Sequence, residues 1–408
     1  VKKPTLAIVS TLDDLCGIAG YARYLSKQLS DDFDVKIFDL DQYFMRGTHP
    51  SLVRRADEII AEISEDIRSF DAVNLQLEYG IFGRKNTHIV RRFRKLAEAA
   101  PNLSITFHTI LPQLRFELLP WVADIFRFRL IRAVDRFISY NKKKHLMEGV
   151  YRTIRKLQTQ KNVSVIVHTR RDMRLMKHVY AMERVFDHPL AFVAPEDSSE
   201  IRNNSSRAKF PQLNRLPDGT KLIGVFGFLG EYKGFDTAIK ALFHLPENYH
   251  LVIFGGLHPN EIRANQPIHP YVEKLLSSLD NPDRKSNPSN VRARVHFMGP
   301  QSDEGFTEAM AICDCVVFPY LEVGQSSSGP LSIAVDMNAP IVAARNHAFL
   351  QFSRYHPEYG ETFEIGNYLE LAEKIFGVTE KRSGAPERQF TTVTNAQVYR
   401  KAHLIGEE

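Results

Sequence analysis

Cysteine is scarce in this sequence, with three (Cys16, Cys313 and Cys315) among 408 residues. A disulfide framework for a chain of this size is thereby excluded, and a reducing, cytoplasmic setting is expected. Cys313-Asp-Cys315 lies in apolar surroundings without a second pair to complete a zinc set, which favours core packing over metal binding. No apolar run reaches the ~20 residues that a membrane-spanning helix requires. The first apolar run, Thr5–Ser10, is too short for the core of a secretory signal and reads as a buried strand. Short repeats and low-complexity tracts are also missing. What is present, 43% hydrophobic and 25% charged residues, is the balance of a soluble globular protein. A chain of 408 residues exceeds one ordinary core, so two domains of roughly 200 residues are expected.

The net charge is a mild +5, but it is unevenly spread. Between Trp121 and Lys156 stand ten Lys/Arg against three acids, with Phe, Leu and Ile interleaved at near-helical spacing. An anionic surface, such as the inner face of the cytoplasmic membrane, suits that pattern, and a solvated helix face competes with it. Nucleic acid is disfavoured, since no reading motif accompanies the charge.

Short β-branched runs alternate with amphipathic segments along the chain. The first half reads as strands at 5–10, 34–40, 72–77, 104–108 and 163–168, with helices at 20–29, 52–67, 87–99 and a long one over about 116–158. Polar text broken by Pro211, Pro217 and Gly219 then reads as a linker. The alternation restarts with strands at 221–228, 250–254, 294–298, 313–318 and 341–344 and helices between them, and ends in an amphipathic helix over 390–406. The pattern predicts an α/β protein of two Rossmann-like, doubly wound domains facing across a cleft: 1–200, a linker at 201–219, 220–388, and a terminal helical segment at 389–408.

The richest stretch is Val316–Asp336. A β-branched run ends in a loop holding Ser326, Ser327, Ser328 and Gly329, and an apolar helix follows. Backbone amides, hydroxyls and a helix N-terminus together suit a phosphate, with a plain serine cap as the alternative. Gly17 and Gly20 open the first helix after the first strand, either as a phosphate-approach loop or as a simple tight turn. Lys233, before Gly234 at a helix start, is placed to neutralise a diphosphate. His108 ends the strand Ser104-Ile-Thr-Phe-His108, where an imidazole suits a substrate oxygen.

Taken in order, Cys16–Gly20, Gln76–Phe82, Thr106–His108, Val167-His168, Gly227–Gly234, Val252–Gly256, Val295–Gly299 and Asp314–Ala343 span nearly the whole chain. This series resembles the retaining glycosyltransferases of the GT-B fold, family 4 type. The resemblance implies a nucleotide-sugar donor, an acceptor hydroxyl on a glycan, lipid-linked or other molecule, and no metal or further cofactor. It implies that Gly17 and Gly20 lie near the donor diphosphate and sugar, that Lys233 grips the diphosphate, and that the Ser326–Gly329 amides complete that site. His108 would contact the transferred sugar or help stabilise the reacting centre. Glu78 and Tyr79 would face the acceptor, with a buried carboxylate–arginine pair as the competing role for Glu78. Where the family carries two glutamates eight positions apart, this chain has Gln325 and Ile333, and Phe228 stands at the place of a familiar arginine. Glu322 is then the candidate carboxylate on the donor side, or simply a loop acid. An epimerase or phosphorylase on the same fold, or a binding subunit without catalysis, are the alternative readings.

Overall fold

In the first half of the chain, apolar runs of five or six residues lie between amphipathic segments, so each strand can bury both faces only if helices cover both sides of one parallel sheet. The computed structural model describes residues 2–12, 17–111, 116–257, 265, 268–279, 290–322, 327–380 and 388–404. Two compact units result, Val1–His188 with Ala396–Glu408, and Pro189–Asn395.

The first unit contains β1 (Thr5–Ser10), β2 (Asp34–Asp39), β3 (Ala72–Leu77), β4 (Leu103–Phe107), β5 (Val163–Val167) and β6 (Val185–Asp187). They form one parallel sheet in the order β2-β1-β3-β4-β5-β6. Its helices are α1 (Gly17–Leu29), α2 (Gln42–Met45), α3 (Pro50–Asp66), α4 (Asn86–Ala99), α5 (Leu118–Phe126), α6 (Leu130–Gln158) and α7 (Arg170–His178). The second unit contains α8 (Pro195–Asn204), β7 (Lys221–Phe226), α9 (Phe235–Leu242), β8 (Tyr249–Phe254), α10 (Pro270–Ser278), β9 (Val295–Gly299), α11 (Asp303–Ile312), β10 (Cys315–Phe318), α12 (Gly329–Asp336), β11 (Ile341–Ala344), α13 (His347–Phe352), β12 (Glu361–Phe363) and α14 (Tyr368–Glu380). Its parallel sheet runs β12-β11-β10-β7-β8-β9. The closing helix, α15 (Thr392–Ala402), carries the chain back into the first unit.

Each sheet reverses its winding once, between β1 and β3 in the first unit and between β7 and β10 in the second. Such switch points open a crevice at the carboxyl ends of the strands, where open α/β sheets bind ligands.

Three expectations change. The single long helix over 116–158 is two helices, because Phe128 turns into the left-handed region (φ 55°) between α5 and α6. The polar text expected to be linker begins as α8, with Pro195 in its first turn, Glu196 and Asp197 at its positive end, and Ser198 buried. In addition α7, β6, α13, β12 and α14 form in stretches where no strand or helix was expected.

The end of the chain is locked by polar contacts. Tyr399 and His403 are buried against the first sheet. The Tyr399 hydroxyl lies 2.8 Å from Thr106 Oγ1, His403 Nε2 lies 2.9 Å from Ser104 Oγ, and Ser164 Oγ donates to the Ala402 carbonyl at 2.8 Å.

Candidate functional site

In the second unit, β7 leads directly into the turn that presents Lys233. Gly227 takes a positive φ of 115°, and a Cβ there would come within 3.2 Å of Lys233 Nζ. A short 3-10 turn, Glu231–Lys233, follows and ends on Gly234 in the left-handed region (φ 66°), the N-cap of α9. A Cβ at Gly234 would lie 2.0 Å from the Pro319 carbonyl, so only glycine lets this turn meet the loop after β10. The Leu321 amide donates to the Tyr232 carbonyl at 2.7 Å and fastens the two loops across the switch point.

Lys233 is 5% exposed. Its ammonium donates to the Tyr320 hydroxyl and lies 4.0 Å from the centre of that ring and 5.2 Å from the ring of Tyr232. Among the described residues no carboxylate pairs with it. Burial alone pulls its pKa down to about 7. A buried lysine with three donors, one donated hydrogen bond and no carboxylate partner among the described residues is expensive in isolation and well matched to an anion. Burial pushes the Tyr320 phenol upward, partly offset by the neighbouring Ser328 hydroxyl. Ser328 is itself buried and is the N-cap residue of α12, yet its side chain does not cap that helix.

The structure therefore brings Lys233, Tyr320 and Ser328 together, with Ser327 and Gly329 alongside in the chain. Gln325 and Ser326 lie outside the described residues. Glu322 is exposed, and its carboxylate accepts from the His347 amide at the start of α13 at 2.7 Å. Ile333 is buried within α12.

In the first unit, His108 follows β4 and sits between Tyr21 and His168, with ring centres 5.3 and 5.4 Å away. Its Nε2 is 2.6 Å from Gln76 Oε1. Gln76 uses its own Nε2 to donate to Asn74 Oδ1 at 2.5 Å, while Asn74 Nδ2 donates to Ser104 Oγ at 2.8 Å and Thr106 Oγ1 at 3.0 Å. With Gln76 oriented in this way, His108 carries its proton on Nε2 and keeps Nδ1 as an acceptor. Burial, then the nearby His168, pushes its pKa well below the usual imidazole range, so the ring is neutral. His168 is buried, its Nδ1 lies 3.2 Å from the His188 carbonyl, and its Nε2 has no partner among the described residues.

Gly17 is the exposed first residue of α1, with open space where a side chain would be, and Gly20 is buried within the helix. Glu78 follows β3 at the switch point. Thr109 Oγ1 donates to its carboxylate at 2.6 Å, and burial raises its pKa; no arginine pairs with it among the described residues. Tyr79, the other acceptor-side candidate, is packed into the hydrophobic core at 6% exposure. Cys313 and Cys315 are free, buried thiols, and the described residues contain no group of three His, Cys, Asp or Glu able to hold a metal. Sequence reading missed Gln76 and Tyr320, which hold the two principal site residues. The signal for Gln76 was present, because polar residues at alternate positions in a strand buried on both faces need a dedicated set of partners.

No family model and no curated protein sequence matches this chain. Solved structures do. It is similar to HepE of Anabaena, solved with UDP-glucose, at 15% identity over 98% of this chain and 99% of that one, with a TM-score of 0.58. The UDP-forming trehalose-phosphate synthase of Burkholderia xenovorans, solved with glucose-6-phosphate, superposes with a TM-score of 0.65 at 11% identity over 98% and 99% of the chains. The fold is GT-B. A glycosyltransferase from Rickettsia africae aligns with 99% of this chain and 94% of its own, at 12% identity and a TM-score of 0.58. At these identities the likeness establishes the GT-B fold, and any shared chemistry must be argued from the residues.

Proposed function

We propose that the chain is a metal-independent, retaining glycosyltransferase of family 4 type, moving a hexose from a nucleoside-diphosphate sugar to an acceptor hydroxyl in cytoplasmic glycan or glycolipid assembly. The observation that carries this reading is the Lys233 ammonium, buried at the switch point of the second sheet with no carboxylate partner among the described residues. The UDP and UDP-glucose complexes of HepE show a GT-B protein binding such a donor.

In the proposed reaction the bond between the anomeric carbon and the β-phosphate oxygen breaks, and its electron pair leaves with the diphosphate. Lys233 and the amides at the start of α12 stabilise that growing charge, since preorganised donors in a dry site lower the barrier more than mobile water. The acceptor oxygen bonds to the anomeric carbon on the face the leaving group vacates, and its proton passes to the departing phosphate oxygen. No protein base is required. His108, neutral and with Nδ1 free to accept, receives a hydrogen bond from a hydroxyl of the transferred sugar. Gly17 and Gly20 allow backbone to approach the donor, Glu322, Gln325, Ser326 and Ser327 border it, and Glu78 is the acceptor-side carboxylate.

The test is calorimetry with UDP, GDP and ADP and their hexose conjugates, followed by product analysis with the tightest donor in chelator. Binding that Lys233→Ala abolishes, and a product anomer matching the donor, support the reading. Absence of nucleotide binding would overturn it.

A further inference from the structure

The first unit carries an apolar surface that nothing in the catalytic reading uses. Helices α5 and α6 form a hairpin. Its inner side is fastened by Arg136, which bonds Glu117 at 2.6 Å and Asp124 at 3.3 Å, and by Phe116, whose ring stands at steep angles to those of Trp121 and Tyr140. The outer side is reversed in polarity. Leu119, Phe126, Phe128 and Ile131 are each at least 80% exposed. Along α6, Leu130, Ile131, Val134, Phe137 and Ile138 recur at helical spacing, so they make one stripe. Ala133, between them in sequence, is the buried residue of that turn. A stripe of this size on a globular chain marks a docking surface.

Its rim selects the occupant. Arg127, Arg129 and Arg132 are exposed beside the apolar side chains and form no ion pair among the described residues, and the exposed Lys142 and Lys143 continue the line. Asp135 is the one exposed acid between Leu118 and Lys143. In a two-fold pairing of this patch with a second copy, the same guanidinium groups would meet their own images, which is repulsive. An anionic lipid interface satisfies both halves of the pattern, phosphates for the arginines and acyl chains for the rings. No helix among the described residues is long and apolar enough to cross a bilayer.

We infer that the α5–α6 hairpin inserts its apolar turn into the surface of an anionic membrane, with Phe126, Phe128 and Ile131 as anchors and Arg127, Arg129 and Arg132 on the headgroups. This binding is independent of what the second unit holds, so it stands or falls separately from the proposed transfer reaction.

The experiment is co-sedimentation of the full chain, without nucleotide, with vesicles of phosphatidylglycerol and phosphatidylcholine, and with phosphatidylcholine alone, at low and high salt. Binding should require the anionic lipid and weaken with salt. Phe126→Ser with Phe128→Ser should lower partitioning by ~10-fold or more. Arg127→Gln, Arg129→Gln and Arg132→Gln together should remove the preference for anionic lipid, with thermal unfolding unchanged in both variants. No vesicle binding, or equal binding by both variants, overturns the inference. So does a concentration-dependent dimer that the phenylalanine variant disperses without any binding to vesicles, which would make the patch an interface between copies.

Discussion

Gln76 Oε1 lies 2.6 Å from His108 Nε2, and this contact sets which face of the imidazole is left for a ligand. The orientation of Gln76 is inherited from Asn74, which is fixed by two hydroxyls of β4, one of them also bonded to Tyr399 of α15. A buried relay thus runs from the C-terminal helix to the candidate site. Gln76→Leu should leave His108 unsupported and lower turnover by at least ~10-fold, with a smaller effect on donor affinity. Gln76→Glu should instead place a carboxylate against the ring and raise the His108 pKa. Nitrogen shifts of His108 across a pH titration read both: wild type stays neutral with the proton on Nε2, and the Glu variant titrates at higher pH. Unchanged shifts in both variants would remove the positioning role.

Lys233 should couple phosphate binding to protons. Its folded pKa of about 7 lies below the ordinary 10.5, so the unliganded protein is destabilised by this group as pH falls from about 10.5 to about 7, and by a constant amount below that. Lys233→Met should therefore stabilise the empty protein at neutral pH by a few kcal/mol, on the order of 1.4 kcal/mol per pKa unit before relaxation, with the gain fading toward pH 10.5. A bound diphosphate restores the ammonium. At pH 8 nucleotide binding should take up close to one proton, seen by calorimetry in buffers of different ionisation enthalpy, and the uptake should vanish in Lys233→Met.

The sequence carried the alternation of strands and helices because strands covered on both faces must be nearly continuous apolar runs, as in Val163–Val167 and Cys315–Phe318. Lys233 and the serine loop were legible for a local reason, since glycines flank a turn at a helix start. Gln76 and Tyr320 were harder, because their roles depend on neighbours 32 and 87 residues away. The polar seam left a faint mark in Asn74, Gln76, Ser104 and Thr106, alternate positions on adjacent strands that share one face of the sheet. Helix α8 was hidden by composition: Asn203, Asn204 and serines read as loop, but Ser198 donates to the Asp336 carbonyl and ties the helix down.

Asp336, at the end of α12, is the anchor of that region. Its carboxylate accepts from the Phe192 and Val193 amides at 2.7 and 3.0 Å and from the buried Arg388 at 3.1 Å. Asp336→Ala leaves a buried guanidinium and two amides without an acceptor and should cost about 3–5 kcal/mol. Asp336→Leu with Arg388→Met removes both charges and should cost clearly less. Urea unfolding of the three proteins checks the order; equal losses would mean that the amide contacts, and not the ion pair, dominate.

Acid should unfold this protein through buried imidazoles. Burial lowers His168 and His356 to about 4 and His403 to about 3, the last aided by the nearby Arg184. All three are at most 4% exposed. Folded values below the ordinary 6.5 mean that their contribution to stability is complete above pH 6.5 and is lost as pH falls toward 4 and 3. At pH 5 each should have cost up to ~2 kcal/mol. His403 is the decisive case, because its Nε2 meets Ser104 and its Nδ1 lies 3.2 Å from Asn102 Oδ1, so a second proton reverses the Ser104 contact and buries a charge where α15 joins the sheet. His403→Gln, uncharged at every pH, should flatten the decline in urea midpoint between pH 7 and 5. A decline as steep as that of the wild type would assign acid sensitivity to other groups.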